Sequence, residues 1–229
     1  MEYTSEGKLL LKNVTLVAVT SVKIDANMSA MEYSMKGIEF GAVKFLTGVE
    51  GVMPKNDKIQ VIHTPLLKNI GYPKDWSEFM IYKLRDFIDT EFALFIHHDG
   101  FVVHPESWTD EFLQYDYIGA PWPDKMFVDD FGEIIRVGNG GFSLRSKKLL
   151  DAFVELKIEW MAYRAHYHDD GWISMGRLQE MRKHGIKIPG PELAYKFSTE
   201  IRCDELDNTH KPFGFHNSLR EKNVSYPKF

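Results

Sequence analysis

The sequence predicts an α/β fold in which a mixed, mostly parallel sheet is flanked by helices. Short apolar runs rich in β-branched residues alternate with helical patterns through the first half of the chain. This alternation is typical of strand–helix–strand crossovers, which place parallel strands side by side in one sheet. The 229 residues contain no internal repeat, no low-complexity run and no long linker, so we expect a single domain over residues 1–229.

The first half begins with an apolar strand at residues 13–20, NVTLVAVT, of the kind that is covered on both faces. Asp25 or Asn27 can then cap a helix, which Gly37 or Gly41 can end. The remaining elements of this half are strands in VKFLT and KIQVIH, a helix with an apolar stripe in YPKDWSEFMIYKLRDFID, and a strand in EFALFIHHDG.

The second half is less regular. The segment DKMFVDDFGEIIRV predicts a hairpin that turns around Asp130, Phe131 and Gly132. The segment VGNGGFSLRSKKLLDAFVEL starts as a glycine-rich turn, continues as a short strand and enters a helix near Ser146. In HYHDDGWISMGRLQEMRKHG two acids open a helix that Gly185 ends, and KPFGFHNS is a short apolar tail.

Composition excludes several classes of protein and site. The net charge of −5 and the pI of about 6.0 give no general basic field for nucleic acid or an anionic membrane. Cys203, the only cysteine, excludes an intramolecular disulfide and a cysteine-based zinc site. The N-terminal residues lack a signal-peptide pattern, and no run approaches the roughly 20 apolar residues of a membrane helix. We therefore expect a cytoplasmic protein without a transmembrane segment, which could still act peripherally at a membrane.

The motif HHDG places His97, His98 and Asp99 at the end of an apolar strand. Ligands of parallel sheets bind beyond the carboxyl ends of the strands, and Thr20 and Ser21 follow another such end. Asp99 could make turn hydrogen bonds, or it could hold Mg²⁺ or Mn²⁺ against phosphate groups, with His97 as a nitrogen ligand of Mn²⁺. Strand alternation predicts that His97 and Asp99 point the same way and that His98 points in the opposite direction.

Two further motifs could carry chemistry. In GNGG, the glycines around Asn139 allow a close approach of backbone to ligand, or they form a plain turn between strands. Asp169 and Asp170 precede a helix, where one acid can cap the helix while the other acts as a general base or binds a sugar hydroxyl. The pair His166 and His168 could bind metal, but without a third nearby ligand a position on the surface or behind the metal ligands is the simpler interpretation.

The order of these motifs resembles the GT-A class of nucleotide-sugar glycosyltransferases. More narrowly, the chain looks like a glycosyltransferase-like family with the succession QHDGF, GAPW, GNGGFSLRS, ED and FGFH. The corresponding segments here are HHDGF, GAPW, GNGGFSLRS, DD and FGFH, within residues 13–217. The resemblance implies a single GT-A-like domain, with a Rossmann-like nucleotide-sugar-binding half at about 13–125 and an acceptor-binding, catalytic half at about 126–217.

The resemblance also implies a role for each matching residue. Asp99 would hold Mn²⁺ or Mg²⁺ against the donor diphosphate, with His97 in place of the family's first acid and His216 completing the ligand set. Asp170 would be the general base, beside Asp169 as the other member of the acidic pair. The implied nucleotide- and donor-binding residues are Thr20, Ser21, Val22, Lys83, His97, Asn139, Gly140, Gly141 and Arg145.

These observations favour an enzyme that transfers a sugar from a nucleotide-diphosphate sugar, a UDP-sugar above all, to a hydroxyl acceptor such as a glycan. A nucleic acid acceptor is disfavoured by the acidic charge. One alternative is a metal-dependent hydrolase or phosphohydrolase that uses His97, His98, Asp99, His166, His168 and Asp170. The other is a catalytically inactive nucleotide-sugar or glycan-binding module.

Overall fold

A central sheet of seven strands forms the framework of the protein, as described by a computed structural model for residues 1–206, 209, 211–217 and 227–229. The strands are β1 Glu2–Tyr3, β2 Leu9–Val19, β3 Ile38–Thr47, β4 Gln60–His63, β5 Phe92–Phe95, β6 Tyr117–Ile118, β7 Phe127–Val128, β8 Ile134–Ile135, β9 Ser143–Ser146, β10 Ser198–Thr199 and β11 Gly214–Phe215. The α-helices are α1 Ile24–Ser34, α2 Lys74–Tyr82, α3 Lys147–Glu155, α4 Asp169–Gly171, α5 Leu178–Lys183 and α6 Pro191–Phe197.

The sheet is mixed and mostly parallel, which confirms the predicted fold class. Its order is β4-β3-β2-β5-β9-β6, and β1 pairs with the beginning of β2. The four strands from β2 to β5 run parallel to one another, whereas β9 is antiparallel to β5 and β6. Two small sheets, β7 with β8 and β10 with β11, lie outside this path.

Burial on both faces explains why β2 is apolar along its length. Leu16 and Ala18 face a core cluster that includes Met28 and Met31 of α1, while Val17 and Val19 face a second cluster with α2. Successive side chains of a strand point to opposite faces, so a central strand covered on both sides needs apolar residues at every position.

Several predicted boundaries differ from those of the structure. Strand β2 begins at Leu9 rather than residue 13, because its first residues pair with β1 and β3. The helix predicted in YPKDWSEFMIYKLRDFID is α2 followed by a 3₁₀ turn, Leu84–Phe87. The hairpin around Gly132 and the helix that starts after Ser146 are present, and the Ser146 hydroxyl caps α3.

The topology brings distant motifs to one edge of the sheet. In the antiparallel register Phe95 pairs with Ser143, so the end of β5 lies beside the start of β9. The HHDG motif after β5 and the GNGG motif before β9 are therefore neighbours. An isolated bridge between Val102 and Gly214 places the C-terminal FGFH segment against the same edge. Within the described residues, no helix has the length and apolarity needed to cross a membrane.

Candidate functional site

A tight turn presents the HHDG motif. Strand β5 ends at Phe95, and the backbone N–H groups of His97 and Gly100 each donate to the other residue's carbonyl, at 2.8 and 3.1 Å. His98 and Asp99 therefore form the tip of a two-residue turn. The prediction that His98 points away from the site is wrong, because the chain reverses here instead of continuing as a strand. His98 lines the same cavities as His97.

The imidazoles of His97, His98 and His216 lie around one carboxylate oxygen of Asp99, with Nδ1 of His98 at 3.5 Å. The Oδ1 atom of Asp99 lies 4.0 Å from Nδ1 of His97 and 3.9 Å from Nε2 of His216. One potential ligand atom from each of these residues lies within 4.8 Å of the others, so His97, Asp99 and His216 form a group that could hold a metal ion. Asp99 Oδ1 is buried and has no hydrogen-bond partner among the described residues. An oxygen in that state fits a cation ligand, since buried polar atoms normally have partners.

The electrostatics of His97 also suit a ligand. Burial is the main cause that lowers the pKa of His97 to about 3, and the nearby His216 lowers it further. The imidazole of His97 is therefore neutral at neutral pH, which leaves a lone pair for a cation. Its ring packs edge-on against Phe95, with 4.7 Å between centroids.

The acidic pair divides into two environments. Asp170 accepts hydrogen bonds from the backbone N–H of Gly140 at 3.1 Å and of Gly171 at 2.7 Å. Burial, followed by the charge of Asp169, raises the pKa of Asp170 to about 6. Asp169 is itself buried and pairs with the guanidinium of Arg145 at 2.7 Å.

Arg145 does not face the donor side as predicted for a phosphate ligand. Its side chain is only 1% exposed, and its Nε donates to Ser143 Oγ while its Nη2 donates to Asp169. It lies in the last strand before α3, where its side chain points into the core below the loop. In this position, Arg145 holds Asp169 rather than contacting a ligand.

The GNGG loop contacts both His216 of the metal-ligand group and Asp170. A Cβ on Gly141 would lie 2.1 Å from Nε2 of His216, so only glycine leaves room for this imidazole. Asn139 was predicted to line the donor side, but it is buried and its amide is already paired. Its Nδ2 donates to the carboxylate of Glu200, and its Oδ1 accepts from the N–H of Gly141 at 3.3 Å.

Two adjoining cavities open at this edge of the sheet. One has a volume of about 550 Å³ and lies beyond β2 and β3. The other, of about 370 Å³, contains the metal-ligand group on one side and Asp170 on another. Both cavities are lined by Tyr72, Trp76, His97 and His98.

The remaining predicted donor residues have different positions. Thr20, Ser21 and Val22 line the larger cavity, although the Ser21 hydroxyl is engaged with the backbone carbonyl of Leu67 at 2.8 Å. Lys83 directly follows α2 and lines a separate surface depression, so the structure does not bring it to either cavity. Gly140 and Gly141 line the smaller cavity.

The histidine pair is only partly in the site. His168 lines the smaller cavity, and its ring lies 6.3 Å from that of Tyr72. His166 is exposed and does not line either cavity. Of the six residues of the hydrolase alternative, His166 is thus the one that lies outside the smaller cavity.

Glu200 and Tyr72 belong to the site but were missed by the sequence reasoning. Glu200 lies 3.3 Å from Nδ1 of His216 and is 8% exposed. An acid that follows the run KFST could indicate a strand-end carboxylate, but only the pairing of β10 with β11 shows its partner. Tyr72 precedes a proline in a loop and carries no recognisable pattern.

Comparisons with known proteins identify a family and a likeness to solved structures. A family model described as a protein of unknown function, DUF5672, matches residues 59–216. No curated protein gives a significant match. The crystal structure of the galactosyltransferase LgtC in complex with donor and acceptor sugar analogs is similar at 15% identity, covering 81% of this chain and 74% of that chain, with a TM-score of 0.43.

Proposed function

This chain belongs to the DUF5672 family, and we propose from its site that it transfers a sugar from a nucleotide-diphosphate sugar to a hydroxyl acceptor. The observation that carries the proposal is that one cavity of about 370 Å³ holds both the His97–Asp99–His216 group and the carboxyl of Asp170. Transfer of a sugar to a hydroxyl needs these two functions, stabilisation of a leaving diphosphate and removal of the acceptor's proton.

The larger cavity is the proposed site of the nucleotide, with a UDP-sugar as the favoured donor. It lies beyond the carboxyl ends of β2 and β3, where parallel sheets bind their ligands. The backbone of residues 20–22 borders it, and Lys23 and Lys68 add positive charge for a diphosphate. Because both cavities share the wall formed by His97 and His98, a donor bound here would extend its sugar toward Asp170.

The residues present fit a divalent cation. His97, Asp99 and His216 would hold it, and the unpaired Asp99 Oδ1 supplies an oxygen ligand. Two imidazoles and one carboxylate favour Mn²⁺ over Mg²⁺, which prefers an all-oxygen set. When bound, the cation would supply Lewis-acid stabilisation of the negative charge on the diphosphate.

Asp170 is the proposed general base. Its pKa of about 6 leaves the carboxylate mostly ionised at neutral pH, yet more basic than an ordinary aspartate. The N–H groups of Gly140 and Gly171 hold its two oxygens in place. Asp169 is engaged with Arg145, so its proposed role is to support Asp170 by its charge rather than to take the proton itself.

The proposed reaction joins the acceptor oxygen to the anomeric carbon of the donor sugar. The bond between that carbon and the phosphate oxygen breaks, and the nucleoside diphosphate leaves with the bonding electrons. The acceptor proton passes to the Asp170 carboxylate. At the cavity rim, Tyr72 is 72% exposed, and its aromatic face suits a sugar ring, which favours a glycan acceptor.

Nucleoside diphosphate release tests the proposal. The purified chain is incubated with Mn²⁺ and a panel of nucleotide-diphosphate sugars, with and without glycan acceptors. Acceptor-dependent release is expected, and Asp170→Asn should reduce it by about 10²–10⁴-fold. Asp57→Asn, a matched change at an exposed acid that lines neither cavity, should leave the release unchanged.

Three outcomes would contradict the proposal. Equal release with and without every acceptor would indicate a hydrolase. Donor binding without turnover would indicate a binding module. A ligand at 100 times its dissociation constant stabilises the folded state by about 2.7 kcal/mol, so a thermal-shift screen in which no nucleotide responds would remove the nucleotide site altogether.

A further inference from the structure

We propose that Glu200 is a positioning residue that orients His216 for cation binding, an inference that rests on the proposed cation site. Neither the motifs nor the metal-ligand group includes this acid. Its side chain is buried, yet it meets polar groups of the site from two directions.

The small sheet of β10 and β11 places Glu200 beside His216. Its parallel register pairs Ser198 with Gly214 and Thr199 with Phe215. The backbone N–H of His216 then donates to the carbonyl of Thr199 at 2.9 Å. Glu200 follows Thr199, and His216 follows Phe215. The backbone pairing therefore places Glu200 and His216 next to each other.

The contacts define which imidazole nitrogen faces which group. Glu200 Oε1 lies 3.3 Å from Nδ1 of His216, and this nitrogen is buried with no hydrogen-bond partner among the described residues. Nε2 of the same ring lies 3.9 Å from Asp99 Oδ1. A carboxylate beside Nδ1 favours the tautomer with its proton on Nδ1, which leaves the Nε2 lone pair for the cation.

Only a carboxylate presents an acceptor oxygen to both neighbours of Glu200. One of its oxygens accepts from Nδ2 of Asn139, and the other lies 3.3 Å from Nδ1 of His216, where it would accept from the proposed Nδ1–H. A glutamine has one acceptor oxygen, so its amide group would face one of these two donors. The backbone of Gly141 packs directly against the imidazole and bounds it on one side.

Calorimetric titration with Mn²⁺ alone, on the full chain, tests this role. The proteins compared are wild type, Glu200→Gln, His216→Ala and the double variant, with Glu192→Gln as a control at an exposed acid on α6. Glu200→Gln should weaken Mn²⁺ binding by about 10–100-fold. The double variant should bind no more weakly than His216→Ala, because Glu200 acts only through that imidazole. The control should match wild type.

A second measurement does not depend on how the variant folds. Long-range ¹H–¹⁵N spectra of the wild-type protein in a metal chelator should show His216 protonated at Nδ1. A proton on Nε2, no Mn²⁺ binding by wild type, or additive effects of the two substitutions would each overturn the proposal. Neither measurement involves sugar transfer. If the two substitutions have non-additive effects on Mn²⁺ binding but no sugar is transferred, the proposed function is refuted and the role of Glu200 stands. If sugar is transferred but the effects of the two substitutions are additive, the role of Glu200 is refuted and the proposed function stands.

Discussion

Replacing Asp170 with asparagine should remove a titration that destabilises the folded protein as the pH rises from about 4 through 6. Burial and the Asp169 charge raise the pKa of Asp170 from 3.8 to about 6. The folded protein therefore holds this proton more tightly than the unfolded chain does. The resulting stabilisation is fully present below about pH 4 and is lost as pH rises through 6.

The size of this effect follows from the pKa difference. A difference of one in pKa corresponds to about 1.36 kcal/mol of free energy. The total change in the free energy of unfolding is therefore about 3 kcal/mol, of which about 2 kcal/mol is lost between pH 4.5 and 7.5. Asparagine does not titrate in this range. The difference in unfolding free energy between wild type and Asp170→Asn should therefore report the ionisation of Asp170, including its interaction with the charge of Asp169.

Urea unfolding in a metal chelator, followed by tryptophan fluorescence, measures this difference at several pH values. Wild type should lose about 2 kcal/mol relative to the variant between pH 4.5 and 7.5. The same ionisation should appear in catalysis as a rise in kcat/KM with a midpoint near pH 6. A stability difference that stays constant across this range would refute the argument that Asp170 is desolvated.

Two further substitutions test the supports of the site. Arg145→Met should lower the free energy of unfolding by about 3–5 kcal/mol, because it leaves the buried Asp169 carboxylate without its partner. A loss well below about 1 kcal/mol in urea unfolding would show that this ion pair does not stabilise the fold. Gly141→Ala should weaken Mn²⁺ binding at least about 10-fold in calorimetry, since the added methyl would lie 2.1 Å from Nε2 of His216. Gly190→Ala is the control, and equal affinity in both variants would argue against His216 as a ligand.

The sheet could be predicted because its central strands carry local information. Strand β2 is buried on both faces, so Leu16 and Val17 are both apolar although they enter different clusters. The carboxylates were also identifiable, because Asp99 follows an apolar strand and Asp170 opens a helix. A polar residue at such an end is a candidate site residue, because ligands of parallel sheets bind beyond the strand ends.

The orientations within the site could not be predicted in the same way. Extending strand alternation to His98 failed because the turn at Gly100 is closed by backbone hydrogen bonds, which HHDG does not specify. Asn139 was predicted to meet the ligand, but its partner Glu200 lies 61 residues away in sequence. The partner of Arg145 could not be predicted either, since only the fold shows that its guanidinium pairs with Asp169.

The peptide unit between Gly140 and Gly141 sets a fixed distance between two contacts in the smaller cavity. The first residue holds Asp170 through its N–H, and the second packs against the imidazole of His216. Consecutive α-carbons across a trans peptide stay about 3.8 Å apart whatever the loop does. A shift of this loop therefore carries both contact points together, and bond lengths fix their spacing.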